Sequence, residues 1–320
     1  MLFKITHQTD LAYSDLISES VMELRMAPRQ EQDQHRLSFS LAIGPPTAIT
    51  SYFDWLGNIV HPFTITGFHN QIRIIATSVV ETDRMRLDPA SLVDRWPLDG
   101  ADYDYAVYDF LQFGGPVADS PQLRDLAASI NPTPGMPLGD LARRMIDLID
   151  RDFTYQKGVT TAASPITEVL EKRAGVCQDF THLMIGLARA LRVPARYVSG
   201  FIHPEASATR GFGQTHAWCE LLFPSEGWIG FDPANRCVIN DHFVKVATGR
   251  HFHDVPPNKG IYRGNAEEKI DVNVQTDVLE QIPPELAAER LHSLALPVYP
   301  DPSSFHRSYG TQQQEHQQQQ

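Results

Sequence analysis

Cysteine is scarce in this chain. Cys177, Cys219 and Cys237 are the three among 320 residues. Three thiols cannot all pair within one chain, and no Cys-x-x-Cys occurs, which excludes a disulfide scaffold and the commonest zinc and redox spacings. Positive charge is also short: 27 Lys and Arg face 39 Asp and Glu, a net charge of −12. That balance argues against a nucleic-acid or anionic-membrane surface. No apolar run is long enough to span a bilayer. The opening Met1-Leu-Phe-Lys-Ile-Thr-His7 lacks the basic flank and apolar stretch of a secretion signal. Reduced thiols and a cytoplasmic protein are therefore expected. No internal repeat is visible.

What is present is globular. Hydrophobic residues make up 42% and charged residues 21%, so the chain can build a core, and its length suits two domains. Residues 1–85 read as β-rich. Leu37-Ser-Phe-Ser-Leu-Ala-Ile43 alternates with period two, and Gln71-Ile-Arg-Ile-Ile-Ala-Thr-Ser-Val-Val80 is rich in β-branched residues. Asp54-Trp-Leu-Gly-Asn58 reads as a turn, with Gly57 and Asn58 able to take positive φ. Short strands at this spacing predict a small sandwich or barrel. Residues 86–135 read as a linker and helical connection.

A helical period begins at Leu138, with Leu141, Ala142, Met145, Ile146, Leu148 and Ile149 on a broad apolar stripe. Ser164 is expected to cap a short helix opened by Pro165. A second helix is expected from Cys177, with Phe180, Leu183, Met184, Leu187 and Leu191 on one face. Strands are expected at 195–202, about 215–223, 227–232 and 242–247, with a further one at 268–274. Helix first and strands after makes residues 136–275 an α+β domain. Residues 276–320 read as a tail whose Gln-rich end is low in complexity and is expected to be disordered.

Three residues carry the chemistry. Cys177 sits in Arg173-Ala-Gly-Val-Cys-Gln-Asp-Phe180, at a turn into a helix. A helix N-terminus stabilises a thiolate, and its free N–H groups suit an oxyanion. A free cysteine is most often an inert buried residue; the Gly-Val-Cys turn favours the reactive reading here. His216, in Thr215-His-Ala-Trp-Cys-Glu220, is a candidate general acid/base. On a strand, His216, Trp218 and Glu220 share one face and Cys219 takes the other, so Trp218 would lie beside the imidazole. Asp232 ends Gly227-Trp-Ile-Gly-Phe-Asp-Pro233 and is a candidate to orient the histidine. The same opposite-face geometry makes His216 and Cys219 a poor chelating pair, and His251-Phe-His253 has no evident third ligand, so no metal and no cofactor is expected. Asp179 near the helix start suits capping and is also a candidate supporting residue near the cleft, as is Trp218. Gln178, Tyr155, Gln214, Arg196 and Tyr197 are candidate supporting or substrate-binding residues. The Gly211-Phe-Gly213 loop before His216 is a candidate cover for the cleft.

With these residues in view, the chain resembles the transglutaminase-like cysteine peptidase superfamily, and within it the bacterial two-domain proteins with a transglutaminase-like N-terminal β domain. The resemblance rests on Tyr155-Gln-Lys-Gly-Val-Thr160, Gly175-Val-Cys-Gln-Asp-Phe180, Pro194-Ala-Arg-Tyr-Val-Ser-Gly200, Thr215-His-Ala-Trp218, Gly227-Trp228, Asp232-Pro-Ala-Asn235, Gly249-Arg250 and Asp254-Val255. Leu24-Arg-Met-Ala-Pro-Arg29, Gln34, Asp54 and Gly57-Asn58 extend it to the N-terminal part. It implies an N-terminal β-sandwich followed by a papain-like catalytic core, with Cys177, His216 and Asp232 as a triad. It also implies a thioester route to hydrolysis of a peptide or amide in a peptide or protein substrate. Two alternatives stand beside that: acyl transfer to a primary amine, and a non-catalytic binding protein on the same fold. Animal transglutaminases use calcium and an upstream tryptophan. Here no EF-hand pattern occurs and Trp96 is far upstream, so calcium dependence is not carried over.

Overall fold

The computed structural model describes residues 1–84, 87–98, 103–204, 210–211, 213–286, 288, 290–299 and 301. The Gln-rich end expected to be low in order, and Phe212 of the loop before His216, lie outside the described residues. In chain order the elements are β1 (Leu2–Leu24), β2 (Gln34–Gly44), β3 (Tyr52–Phe53), β4 (Ile59–Thr82), β5 (Arg95–Trp96), α1 (Pro121–Ser129), β6 (Met136–Pro137), α2 (Leu138–Asp152), β7 (Thr154–Tyr155), α3 (Ile166–Lys172), β8 (Ala174–Gly175) and α4 (Cys177–Ala190). They continue with β9 (Ala195–Ile202), β10 (His216–Phe223), β11 (Gly227–Asp232), β12 (Cys237–Val238), β13 (Phe243–Gly249), β14 (Asn258–Arg263), β15 (Glu268–Val278) and β16 (Arg290–Ser293). Among the described residues no helix is long and apolar enough to cross a membrane.

The chain divides into two compact units. One holds Leu2–Ala27, Arg36–Val80 and the chain from Pro257; the other holds Met1, Pro28–His35 and Glu81–Pro256. The first unit is strand-rich, as expected. Its seven strands are hydrogen-bonded in the order β14-β1-β4-β2-β16, with β15 also on β1 and β3 on β4. Alternation builds it: Phe3, Ile5, His7, Thr9, Leu11 and Tyr13 are buried along β1 while the residues between them are less so. At the β3–β4 turn Gly57 takes φ 74°, and the Asp54 carboxylate accepts from the N–H groups of Leu56 and Asn58.

Two expected boundaries are corrected. Residues 257–275, placed with the α+β domain by the sequence, return to the strand-rich unit. β15 pairs antiparallel with β1 from Phe3↔Val278 to Tyr13↔Glu268, which satisfies an edge that β1 would otherwise leave open. Residues 86–135, read as a connection, belong to the second unit. Leu123, Leu126 and Ala127 of α1 are buried there, and Phe110 and Leu111 are buried in a 3-10 turn before it.

The second unit is the α+β part. A five-stranded antiparallel sheet runs β12-β11-β10-β9-β13. α4 lies against β9 and β10, and α1, α2 and α3 pack on α4. From Asp179 to Arg189 every residue of α4 is buried, which makes it the central helix. Gly186 allows the close approach: a Cβ there would meet Ile166 Cδ1 at 3.0 Å and Leu123 Cδ2 at 3.2 Å. Arg189 fixes its far end by donating to four backbone carbonyls, those of Phe110, Gln112, Ala195 and Arg250, at 2.7–3.0 Å. Ser164 does not cap α3. The cap position is Pro165, with no side-chain cap bond, and the Ser164 hydroxyl instead accepts from the Thr161 N–H at 3.0 Å.

Candidate active site

Cys177 is the first residue of α4 and is half-buried. Its position is set by the chain just before it. β7 pairs with β8, Tyr155 opposite Gly175, so the strand carrying Tyr155 lies beside the turn into the helix. Gly175 has no room for a side chain, since a Cβ would lie 2.6 Å from Asp179 Cβ. Asp179 closes the turn. Its Oδ2 accepts from the Val176 N–H at 2.7 Å and from Thr160 Oγ1 at 2.6 Å. Burial pushes the Asp179 carboxyl above its ordinary pKa. Its role is that of the N3 residue of a helix cap.

His216 opens β10 and Asp232 closes β11, so antiparallel pairing of these strands brings both to the same end of the sheet. His216 Nε2 lies 2.7 Å from Asp232 Oδ2, and both side chains are wholly buried. Burial alone would pull the imidazole down. The charge and hydrogen bond of Asp232, with a contribution from Cys177, outweigh it and raise His216 to about 10. Asp232 stays low for the matching reason: burial pushes it up, but His216 and Asn235 more than offset this. Its Oδ1 accepts from the N–H groups of Ala234 at 2.8 Å and Asn235 at 3.1 Å. With Nε2 engaged by Asp232, the buried Nδ1 is the ring nitrogen left to exchange a proton. Cys177 acts on the same ring. A thiol, an imidazole and a carboxylate so arranged can activate a sulfur nucleophile and shuttle one proton.

The supporting candidates separate into those the fold brings to this place and those it does not. The Tyr155 ring stands edge-on to Phe180 at 6.0 Å and carries the Arg210 guanidinium 4.7 Å above it. Burial first, and then Cys177, raise its hydroxyl to about 12. Trp218 is fully buried in a cluster with Val198, Ile202, Ile239 and Phe243, its ring 6.4 Å from that of His216. It is a core residue that also walls the imidazole. Gln178 turns away, its amide donating to the Ala162 carbonyl at 3.0 Å. Gln214 is exposed and makes no hydrogen bond among the described residues. Neither glutamine therefore supports the site as expected. Arg196 is engaged elsewhere, in an ion pair with Glu220 at 2.6 Å. Tyr197 is buried beside His182 and Phe252.

Asn235 is the residue that the sequence reading did not place in the site. It occurs in the Asp232-Pro-Ala-Asn235 motif, and that spacing was the available signal. Its amide nitrogen donates to Asp232 Oδ2 at 2.7 Å.

Two family models match. The transglutaminase-like superfamily model covers residues 124–233, and the bacterial transglutaminase-like N-terminal region covers residues 3–81. An uncharacterised Mycobacterium tuberculosis protein is 31% identical over 295 residues, 87% of this chain and 92% of that one. A Pseudomonas aeruginosa protein-glutamine gamma-glutamyltransferase is 27% identical over 161 residues, 47% of this chain but 24% of its own length. Among solved structures, a Cytophaga hutchinsonii protein described as a candidate cysteine protease superposes with a TM-score of 0.70. It is 26% identical and covers 88% of this chain and 93% of that one.

Proposed function

This chain belongs to the transglutaminase-like superfamily, and on that premise we propose that it is a cysteine-dependent peptidase or amidase working through a thioester on Cys177. The observation that carries the reading is the buried His216–Asp232 pair at 2.7 Å, with Cys177 at the start of α4 acting on the same imidazole. The Cys177 sulfur attacks the carbonyl carbon of an amide. The Cys177 backbone N–H stands at a helix N-terminus, where it suits the developing oxyanion. Imidazolium Nδ1–H gives its proton to the leaving amine as the C–N bond breaks, and a thioester remains. Water, deprotonated by the now neutral imidazole, attacks the thioester carbonyl; the carboxylic acid leaves as the C–S bond breaks, and the thiolate and imidazolium are restored. Asp232 holds the ring and supports its positive charge throughout.

Acyl transfer is the second reading, favoured by the likeness to the gamma-glutamyltransferase over 47% of this chain. It differs only in the last step, where a primary amine replaces water and an amide forms. Adding an amine and following the new amide separates the two.

The ion pair has a test that needs no substrate. An ordinary thiol with a pKa of about 8.5 is roughly 0.3% ionised at pH 6. With His216 protonated up to about 10, Cys177 in the wild type is expected to react with iodoacetamide at pH 6 at least ~10-fold faster than in His216→Ala. The gap should close as pH rises past about 8.5, where the thiol of the variant ionises without help. Mass spectrometry of the Cys177 peptide measures both rates. Identical profiles, both those of an ordinary thiol, would instead support a non-catalytic binding protein on this fold.

A further inference from the structure

Asn235 makes more bonds at this site than a turn residue needs. Its Nδ2 donates to Asp232 Oδ2 at 2.7 Å and to the Arg210 carbonyl at 3.1 Å, and lies 3.5 Å from His216 Nε2. Its Oδ1 accepts from the Arg210 N–H at 2.8 Å. The orientation of the amide is determined by chemistry: the group facing a carboxylate must be the donor, so the oxygen faces the Arg210 N–H. One side chain thus holds both backbone polar groups of Arg210 and one oxygen of Asp232.

Arg210 carries the connection further. Its Nη1 donates to the Ala234 carbonyl at 2.8 Å, and its guanidinium lies over the ring of Tyr155. Tyr155 is beside Cys177 through the β7–β8 pair. The next residue, Gly211, lies directly against the imidazole. A Cβ built on it would be 2.2 Å from His216 Nδ1, and its φ of +85° is one that other residues rarely adopt. The groups with charge or titration that face this place are Cys177, Tyr155, Arg210, His216 and Asp232.

We propose that Asn235 is a positioning residue that couples the orientation of Asp232 to the seating of Arg210 and Gly211 against the His216 ring. The carboxylate sets the ring through Nε2, and Gly211 bounds it at Nδ1, the nitrogen that exchanges a proton with the thiol. Asn235 joins the two constraints, so the ring is held from both sides by one carboxamide. Aspartate at position 235 could not do this, because it would set a second carboxylate against Asp232 and lose the donor to the Arg210 carbonyl. The inference rests on the Cys177–His216–Asp232 reading above.

The test compares Cys177 alkylation by iodoacetamide from pH 5 to 10 in the full chain, as wild type, His216→Ala, Asn235→Ala, Gly211→Ala and the Asn235→Ala/Gly211→Ala double variant. Asn235→Ala is expected to slow alkylation near pH 6 by about tenfold and to shift the whole profile toward that of His216→Ala, because a charge-assisted bond to Asp232 is gone. Gly211→Ala removes no hydrogen-bonding group and lies outside every helix and strand, so it tests the same seating without loss of a buried contact. It should shift the profile in the same direction. The double variant should fall short of the product of the two single effects, since both act on one ring position. A merely structural role would lower thermal stability and leave the pH profile in place. A wild-type profile that depends on His216 but is unchanged by both single variants overturns this inference alone. A wild-type profile matching His216→Ala removes the triad reading, and the inference with it.

Discussion

Asp232→Ala is expected to cost about 3–5 kcal/mol of stability, because it removes one partner of a buried, hydrogen-bonded ion pair and the other must give up its charge. The same change should remove the pH-6 reactivity of Cys177. With the carboxylate gone, burial dominates at His216 and the imidazole becomes neutral. The pH dependence of the loss follows from the two shifts. His216 is raised from 6.5 to about 10, so its contribution is complete below pH 6.5 and fades as pH rises through 10. Asp232 is lowered from 3.8, so its contribution holds above pH 3.8 and is lost as acid protonates it. The difference between wild type and variant should therefore be largest from about pH 4 to 6.5 and shrink towards pH 10. Urea denaturation at a series of pH values measures it. Asp232→Asn keeps the shape but not the charge. By comparison with a serine-protease triad, it should reduce any turnover by about 10⁴-fold. A stability difference that grows between pH 7 and 10 would contradict the assignment of the charge.

The second large effect lies elsewhere on the same sheet. Glu220, on the His216 face of β10, is buried between two cations. Its Oε2 pairs with Arg196 at 2.6 Å and its Oε1 with Lys245 Nζ at 2.7 Å, and that ammonium also meets Glu31 at 2.7 Å. Burial pushes the Glu220 carboxyl up, but Arg196 and Lys245 draw it down to about 2. Glu220→Ala would leave the buried Lys245 and the partly buried Arg196 without the carboxylate between them, at a cost of about 3–5 kcal/mol. Since its pKa falls from 4.5 to about 2, the wild-type contribution is full above pH 4.5 and lost as pH falls through 2. The variant should therefore differ most from wild type at neutral pH and least near pH 2. Equal denaturation midpoints at pH 7 would show that Glu31 takes over the role. Nothing in the local sequence marked this network, because its members lie 24 to 214 positions apart along the chain.

Local pattern made much of the α+β unit legible. The apolar period from Leu138 to Ile149 became α2, and all of the expected stripe is buried. The run at 195–202 became β9 to the residue. The turn ending at Gly175, the helix start at Cys177, and the strand ends at His216 and Asp232 are local signals, so the three chemical residues could be named from them. What the sequence did not carry was partner choice. The strand at 268–274 was readable from its alternation, but no local signal says that it pairs with β1. Asn235 looked like part of a turn because its partners, the Arg210 backbone and the Asp232 carboxylate, meet it only in the folded loop. Gln178 and Gln214 failed as supporting residues for a related reason. Sequence neighbours of catalytic candidates need not point with them: on a helix Gln178 points away from Cys177, and Gln214 is in a bend before β10.

The central claim is that Cys177 forms an acyl-enzyme. The most direct measurement is acetylation by p-nitrophenyl acetate, quenched in acid and read by intact-mass and peptide-mass spectrometry. The account predicts one acetyl group on the Cys177 peptide, removable by hydroxylamine as a thioester is, much reduced in His216→Ala and absent in Cys177→Ala. An unmodified Cys177 in the wild type, or acetylation that persists equally in the two variants, would contradict it.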